Sequence, residues 1–319
     1  VGAERPGKQQ KATGANPSIV TDGEHLWAYF KSGDLACLDL EGKIVWQLNL
    51  QQKYGEDTLW WDLGTSPVLT KNGVVVAVMH SGPSFLVSLD KKTGKEKWKA
   101  DRNLDAPSEA AQSYSTPMLV KDGDRDTLVT VGADAVTSHD AETGEELWRV
   151  TGLNPTQNGY FRSISSVVAS DGIVIAPYAR GNSVTAIKLG GKGDVTKSHV
   201  IWQHSSEGAG SDVPTPIAID GKVYLLHDGR SRSVECLELK TGKQLWSAEL
   251  PRHRMTFSAS PILAGDRIYV AREDGTVFVV KDGKIEAENP LDGDLLVATP
   301  VLVDGKILLR TVNQLYCIE

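Results

Sequence analysis

Residues able to do chemistry stand between the apolar runs of this chain rather than within them. Trp60, Trp61 and Asp62 are consecutive, and Tyr114, Tyr160, Arg162, Asp212, His253 and Arg254 occupy comparable later segments. His80, Arg180, His227, Arg272 and Arg310 fall in a second set of shorter connections. Aromatic rings present flat faces, and Arg and His present charge-assisted donors, so this mixture suits recognition of a protein, a peptide or a glycan. Patterns for bond-making chemistry are thin, and no catalytic residue is assigned. Asp122, Asp124 and Asp126 alternate as at the start of a Ca²⁺ loop, but Thr127 stands where such a loop needs glycine and Ala133 where it needs a glutamate. The reading there is an exposed turn, with those three aspartates as a weak metal candidate. The 7 histidines form no His-x-x-x-His pair, and there is no Gly-x-Ser-x-Gly elbow or phosphate-binding loop.

The elements that must position these residues come from an internal repeat. Trp46, Trp98, Trp148, Trp202 and Trp246 are spaced by 52, 50, 54 and 44 residues. Three of them close one phrase: Asp90 to Gly94 leads to Trp98, Asp140 to Gly144 to Trp148, and Glu238 to Gly242 to Trp246. Asp39-Leu40-Glu41-Gly42 is a shorter form before Trp46, and Trp202 lacks the phrase, having Gly190-Gly191-Lys192-Gly193 upstream. A second marker, a small residue followed by proline and an apolar run, gives Pro17, Pro67, Pro117, Pro216, Pro261 and Pro300, with Val167 in the missing slot. Each copy reads as four short strands joined by tight Asp-Gly and Thr-Gly turns. A period of this length built from strands predicts an all-β propeller of four-stranded antiparallel blades, with seven units visible. In such a meander the tight turns lie at one end and the longer connections at the other, so the aromatic and ionisable residues above gather on one face. Loops on a rigid scaffold are where binding residues concentrate; solvated loops and blade-locking contacts are the competing account. The repeated tryptophans are read as packing residues that fill the seams between blades.

Composition narrows the function. The 319 residues carry a net charge of −7 with both signs interspersed, which disfavours a stripe for nucleic acid. The longest apolar run, Val74–Met79, is too short to cross a bilayer. Cys37, Cys236 and Cys317 sit at one repeat position, too far apart for a bridge, and are expected to be free and buried.

The phrase Asp-x-x-Thr-Gly-x-x-x-Trp, with Ser/Thr-Pro before each copy, resembles the PQQ-like repeat family over residues 16–319. The chain looks like the exported repeat proteins of planctomycete-type bacteria and the propeller lipoprotein of the outer-membrane β-barrel assembly machine. That branch implies a non-enzymatic, extracytoplasmic (periplasmic or secreted) bacterial scaffold with no cofactor. The family's other branch implies the alternative, a quinoprotein-type oxidoreductase with PQQ and Ca²⁺. Those dehydrogenases typically carry adjacent cysteines; here no two cysteines are adjacent.

Two expectations concern organisation. Residues 1–15 are read as an extension or the remnant of an upstream blade, and residues 16–319 as one propeller domain. The last copy stops after its third strand, so the family's frequent eight-blade count suggests a further blade upstream; a seven-bladed ring whose last blade lacks its outer strand is the alternative.

Overall fold

Short apolar runs buried on both faces in the inner strands, and alternating runs in outer strands, bounded by Gly, Asp and Asn, produce seven antiparallel sheets in chain order. The computed structural model describes residues 1–3, 5–230, 232–291 and 293–319. Blade 1 pairs Val20–Thr21, His25–Tyr29, Asp34–Asp39 and Ile44–Asn49; blade 2 pairs Val68–Leu69, Gly73–Val78, Phe85–Asp90 and Glu96–Asp101. Blade 3 comprises Met118–Asp122, Arg125–Gly132, Ala135–Asp140 and Glu146–Val150, and blade 4 Val168–Ser170, Ile173–Tyr178, Ser183–Lys188 and Val200–Ser205. Blade 5 comprises Ile217–Ile219, Lys222–His227, Ser233–Glu238 and Gln244–Glu249, and blade 6 Ile262–Ala264, Arg267–Ala271, Val277–Lys281 and Lys284–Asn289. Blade 7 has three strands, Val301–Val303, Lys306–Arg310 and Leu315–Ile318. The fold is an all-β propeller of seven blades.

The chain forms two compact units, Val1–Ile164 with Gly190–Ser198, and Ser165–Leu189 with His199–Glu319. In the first, a core gathers Trp27, Leu35, Cys37, Val74, Val76, Phe85 and Val87. In the second, Leu226, Cys236, Phe257, Val270 and Phe278 pack together.

Both repeat markers have physical roles. Trp46 lies on the turn of blade 2, where its indole N–H donates to the Lys91 carbonyl at 2.8 Å. A Cβ on Gly94 would come within 2.7 Å of that ring, one on Gly144 within 2.4 Å of Trp98, and one on Gly242 within 2.7 Å of Trp202. The glycine therefore serves two needs: positive φ for its own turn and a bare surface for the tryptophan of the preceding blade. Trp98 and Trp148 are buried, whereas Trp46, Trp202 and Trp246 are only half-buried.

A Ser or Thr beside this marker links neighbouring innermost strands; it precedes the proline or Val167 in every copy but the first, where Asn16 precedes Pro17 and Ser18 follows it. In the first unit, the Ser18 N–H donates to Ser66 Oγ at 2.9 Å and the Ser66 N–H to Thr116 Oγ1 at 3.0 Å. In the second, Ser166, Thr215 and Ser260 donate in the same way to Thr215, Ser260 and Thr299, at 3.1, 3.0 and 3.1 Å. The short innermost strands would otherwise leave these N–H groups without sheet partners.

Blade 4 departs from the pattern. Its Gly-rich segment adds Gly193–Asp194 as a parallel fifth strand on blade 3, opposite Trp148 and Arg149. This excursion takes the place of a compact turn and explains the missing phrase before Trp202.

Candidate partner-binding face

In the first unit the long connections after blades 1, 2 and 3 meet around a buried polar cluster. Gln112, fully buried, accepts from the Trp60 N–H and from the Tyr114 hydroxyl, both at 2.9 Å. That hydroxyl in turn accepts from the Trp61 N–H at 3.1 Å. The Trp61 indole N–H donates to Glu109 Oε1 at 3.0 Å, and Arg162 Nε lies 3.7 Å from the same oxygen. Arg162 also holds the Tyr160 carbonyl through its own N–H. The Trp60 and Trp61 backbone N–H groups and the Trp61 indole N–H are thus engaged on this cluster, while the three aromatic residues stay exposed. Trp60 is 49% exposed, Trp61 42% and Tyr160 65%.

Other residues of the expected face turn inward. Asp62 is buried and bound to Lys31, and it accepts from the N–H groups of Lys8 and Gln9 at 2.8 and 2.9 Å. Burial opposes its charge, but the Lys31 ammonium and these donors win and hold its carboxyl below the usual range. It anchors the N-terminal segment to blade 1. His80 is buried, which disfavours its charged form; its Nδ1 meets the N–H groups of Thr58 and Gly82 and therefore acts as an acceptor. Tyr114 is buried, and its phenol is pushed well above its ordinary value.

The second unit has its own loop cluster. Arg180 is exposed and, with Ala179, adopts left-handed backbone at φ 54° and 55°. Asp228, next to His227, accepts from the Asp212 and Val213 N–H groups at 2.9 and 3.1 Å. Burial raises its carboxyl to about 6; the Asp212 N–H opposes this, and the Asp212 charge adds to it. Arg272 is buried and forms a two-pronged pair with Asp274 at 3.0 and 2.9 Å, with its guanidinium over Phe278. Asp274 is pulled down to about 2: burial opposes its charge, but the Arg272 pair and the Thr276 N–H outweigh it. His253 Nδ1 lies 3.6 Å from Asp274, and His227 Nε2 is 3.0 Å from Glu235. Arg254 and Arg310 are exposed.

Asp122, Asp124 and Asp126 are not brought together as ligands. Asp126 pairs with Lys121 at 3.1 Å across the hairpin, and among the described residues no three His, Cys, Asp or Glu groups converge to hold a metal ion. Cys317 corrects another expectation: Cys37 and Cys236 are buried, but Cys317 is exposed, because no fourth strand among the described residues covers it. Sequence reasoning also missed Arg102, which is buried and donates to Thr137 Oγ1 at 2.8 Å and to the Gly132 and Ala135 carbonyls at 3.0 and 3.1 Å. A charged residue directly after an outer strand was its only signal.

Two segments, residues 31–229 and 230–318, match the sequence profile of the outer membrane protein assembly factor BamB. The chain belongs to the BamB family. A comparison with curated proteins found no match. The crystal structure of BamB from Moraxella catarrhalis superposes with a TM-score of 0.69 at 16% identity, over 95% of this chain and 84% of that one. A europium-containing methanol dehydrogenase gives 0.72 at 12% identity, over 94% and 73%. The C-terminal WD40 domain of Sif2 gives 0.64 at 14%, over 95% and 80%. At these identities the likeness is one of fold, which BamB-family chains share with enzymes and binding modules alike.

Proposed function

We propose that this BamB-family propeller is a non-enzymatic, extracytoplasmic scaffold. Its long-loop face holds a protein, peptide or glycan partner, with Trp60, Trp61 and Tyr160 making first contact. A protein of the outer-membrane assembly apparatus is the partner class that the family name favours. In this reading residues 1–15 are an extension laid on blade 1, and residues 16–319 are the propeller. The observation that carries the proposal is the arrangement around Gln112. Exposed aromatic rings are held on a buried hydrogen-bonded base, so little ordering entropy remains to be lost on binding.

The test replaces Trp60, Trp61 and Tyr160 with alanine, singly and together, and measures cross-linking to partners in an envelope fraction. The triple variant is expected to lose about tenfold or more in capture while keeping its thermal midpoint, since truncating exposed rings costs little stability. Capture equal to the parent would rule out this face.

A quinoprotein-type oxidoreductase is the alternative. The donor chemistry does not favour it: the cysteines lie on three separate sheets, and the described carboxylates assemble no set of three for Ca²⁺. Addition of PQQ and Ca²⁺ is expected to leave the quinone spectrum unchanged; alcohol-dependent dye reduction would reinstate the alternative.

A further inference from the structure

A small cavity of the first unit is lined by polar groups that the surrounding side chains do not satisfy. It lies between blades 1 and 2, beside the connection that carries Trp60 and Trp61, and Leu50, Leu59 and Phe85 form part of its wall. Tyr29 of blade 1, Gln51 of the short helix Leu50–Tyr54, Asp57 of the connection and His80 of blade 2 also line it. The volume open to a water-sized sphere is about 10 Å³, which is room for one water molecule.

These four side chains divide into two acceptors and two donors. Gln51 is 7% exposed; its Nε2 donates to the Lys31 carbonyl at 3.1 Å and to Asp57 Oδ2 at 2.6 Å, while its Oε1 is buried with no partner among the described residues. Asp57 takes that amide on one oxygen and the Leu59 N–H on the other, at 3.1 Å, so each oxygen keeps a lone pair. Tyr29 is buried, and its hydroxyl has no partner among the described residues. Burial, with the Asp57 charge adding to it, pushes the phenol up, so the hydroxyl keeps its proton and can donate. Burial also disfavours a charged His80 ring, against the opposing pull of Asp57. Because Nδ1 accepts, Nε2 carries the proton, and no described residue accepts it. A cation would meet the two donors, and an anion would meet the Asp57 carboxylate. Water alone, at this size, offers two donors and two acceptors.

We propose that this cavity is a binding site for one long-lived water molecule. The water accepts from Tyr29 and His80 and donates to Gln51 and Asp57. It thereby ties blade 1, the short helix and blade 2 to the start of the connection that leads into Trp60. This inference stands apart from partner capture: failure of either leaves the other intact.

Tyr29→Phe keeps the ring and deletes one donor. Removing an unpartnered buried hydroxyl leaves folding unchanged or improves it, whereas removing one that a bound water uses weakens it. The folding equilibrium constant from urea melts is therefore expected to fall about tenfold. Val78→Ile extends a lining side chain by one methylene. Oxygen-17 relaxation dispersion should then count one long-lived water fewer than in the parent. Cross-relaxation between water and the Met79 methyl of the parent, another lining group, is expected as well and needs no variant to fold. Folding of Tyr29→Phe equal to or better than the parent's would overturn the proposal, as would an unchanged water count or a silent Met79 methyl. Stabilisation by ammonium or potassium over sodium at equal ionic strength would assign the cavity to a cation and overturn it too.

Discussion

Asp228 shows how one carboxyl can report on a loop. Its two oxygens collect the N–H groups that begin blade 5's entry segment, yet its burial keeps proton affinity high, at about 6. The folded state therefore binds this proton more tightly than the unfolded chain, whose carboxyl titrates near ~4. The associated stabilisation is fully present below about pH 4 and is lost as pH rises through about 6. Asp228→Asn removes that titration while losing one acceptor. Its unfolding free energy from urea melts should fall less between about pH 4 and about pH 7 than the parent's, by on the order of 2 kcal/mol. The slope is the readout, since the lost acceptor lowers both ends equally; an unchanged slope would place the titration elsewhere. Arg102 illustrates the opposite case, a buried cation whose carbonyl acceptors make it part of the scaffold.

Between elements, the repeat is a lock-and-seat arrangement rather than a set of similar turns. Gly144 has φ 77° and the Trp98 ring above it, whereas Gly42 has φ 84° and open space. Alanine at either position meets the left-handed backbone cost, but only at Gly144 does a methyl group also collide with an indole. Gly144→Ala should therefore destabilise by about 3 kcal/mol and Gly42→Ala by about 1 kcal/mol. Denaturant midpoints at constant slope separate the two effects. Equal losses would mean that the turn conformation alone selects glycine. The Ser/Thr hydroxyl links between innermost strands are the second inter-blade device, and they explain why a small hydroxyl residue so regularly precedes the proline.

At the scale of the whole molecule, the cysteines distinguish covered sheets from the uncovered one. Burial pushes the Cys37 and Cys236 thiols up to about 11, so little thiolate exists at neutral pH and no reagent reaches it. Cys317 occupies the same repeat position in blade 7 and is exposed. Titration of the 3 thiols in the folded protein should show one reacting promptly and two only as the chain unfolds. Three equally fast thiols would contradict the buried cores of blades 1 and 5. The described residues also contain no helix long and apolar enough to cross a membrane.

The architecture is legible in the order of residues. Tryptophan, Thr-Gly and Ser/Thr-Pro recur at similar intervals because each blade must bury the same faces and make the same turns, and local chemistry of that kind is written in consecutive residues. That order also indicated the aromatic pair Trp60–Trp61 and the shared position of the three cysteines. It could not sort the loop residues by depth. Asp62, His80, Tyr114, His227 and Arg272 resemble surface-binding residues in composition, but each turns inward to a partner in another segment: Lys31, Thr58, Trp61, Gly210 and Pro251 respectively. Only tertiary structure decides that, because burial of a polar side chain depends on whether a distant segment supplies a hydrogen-bonding counterpart, and spacing along one chain carries no record of it.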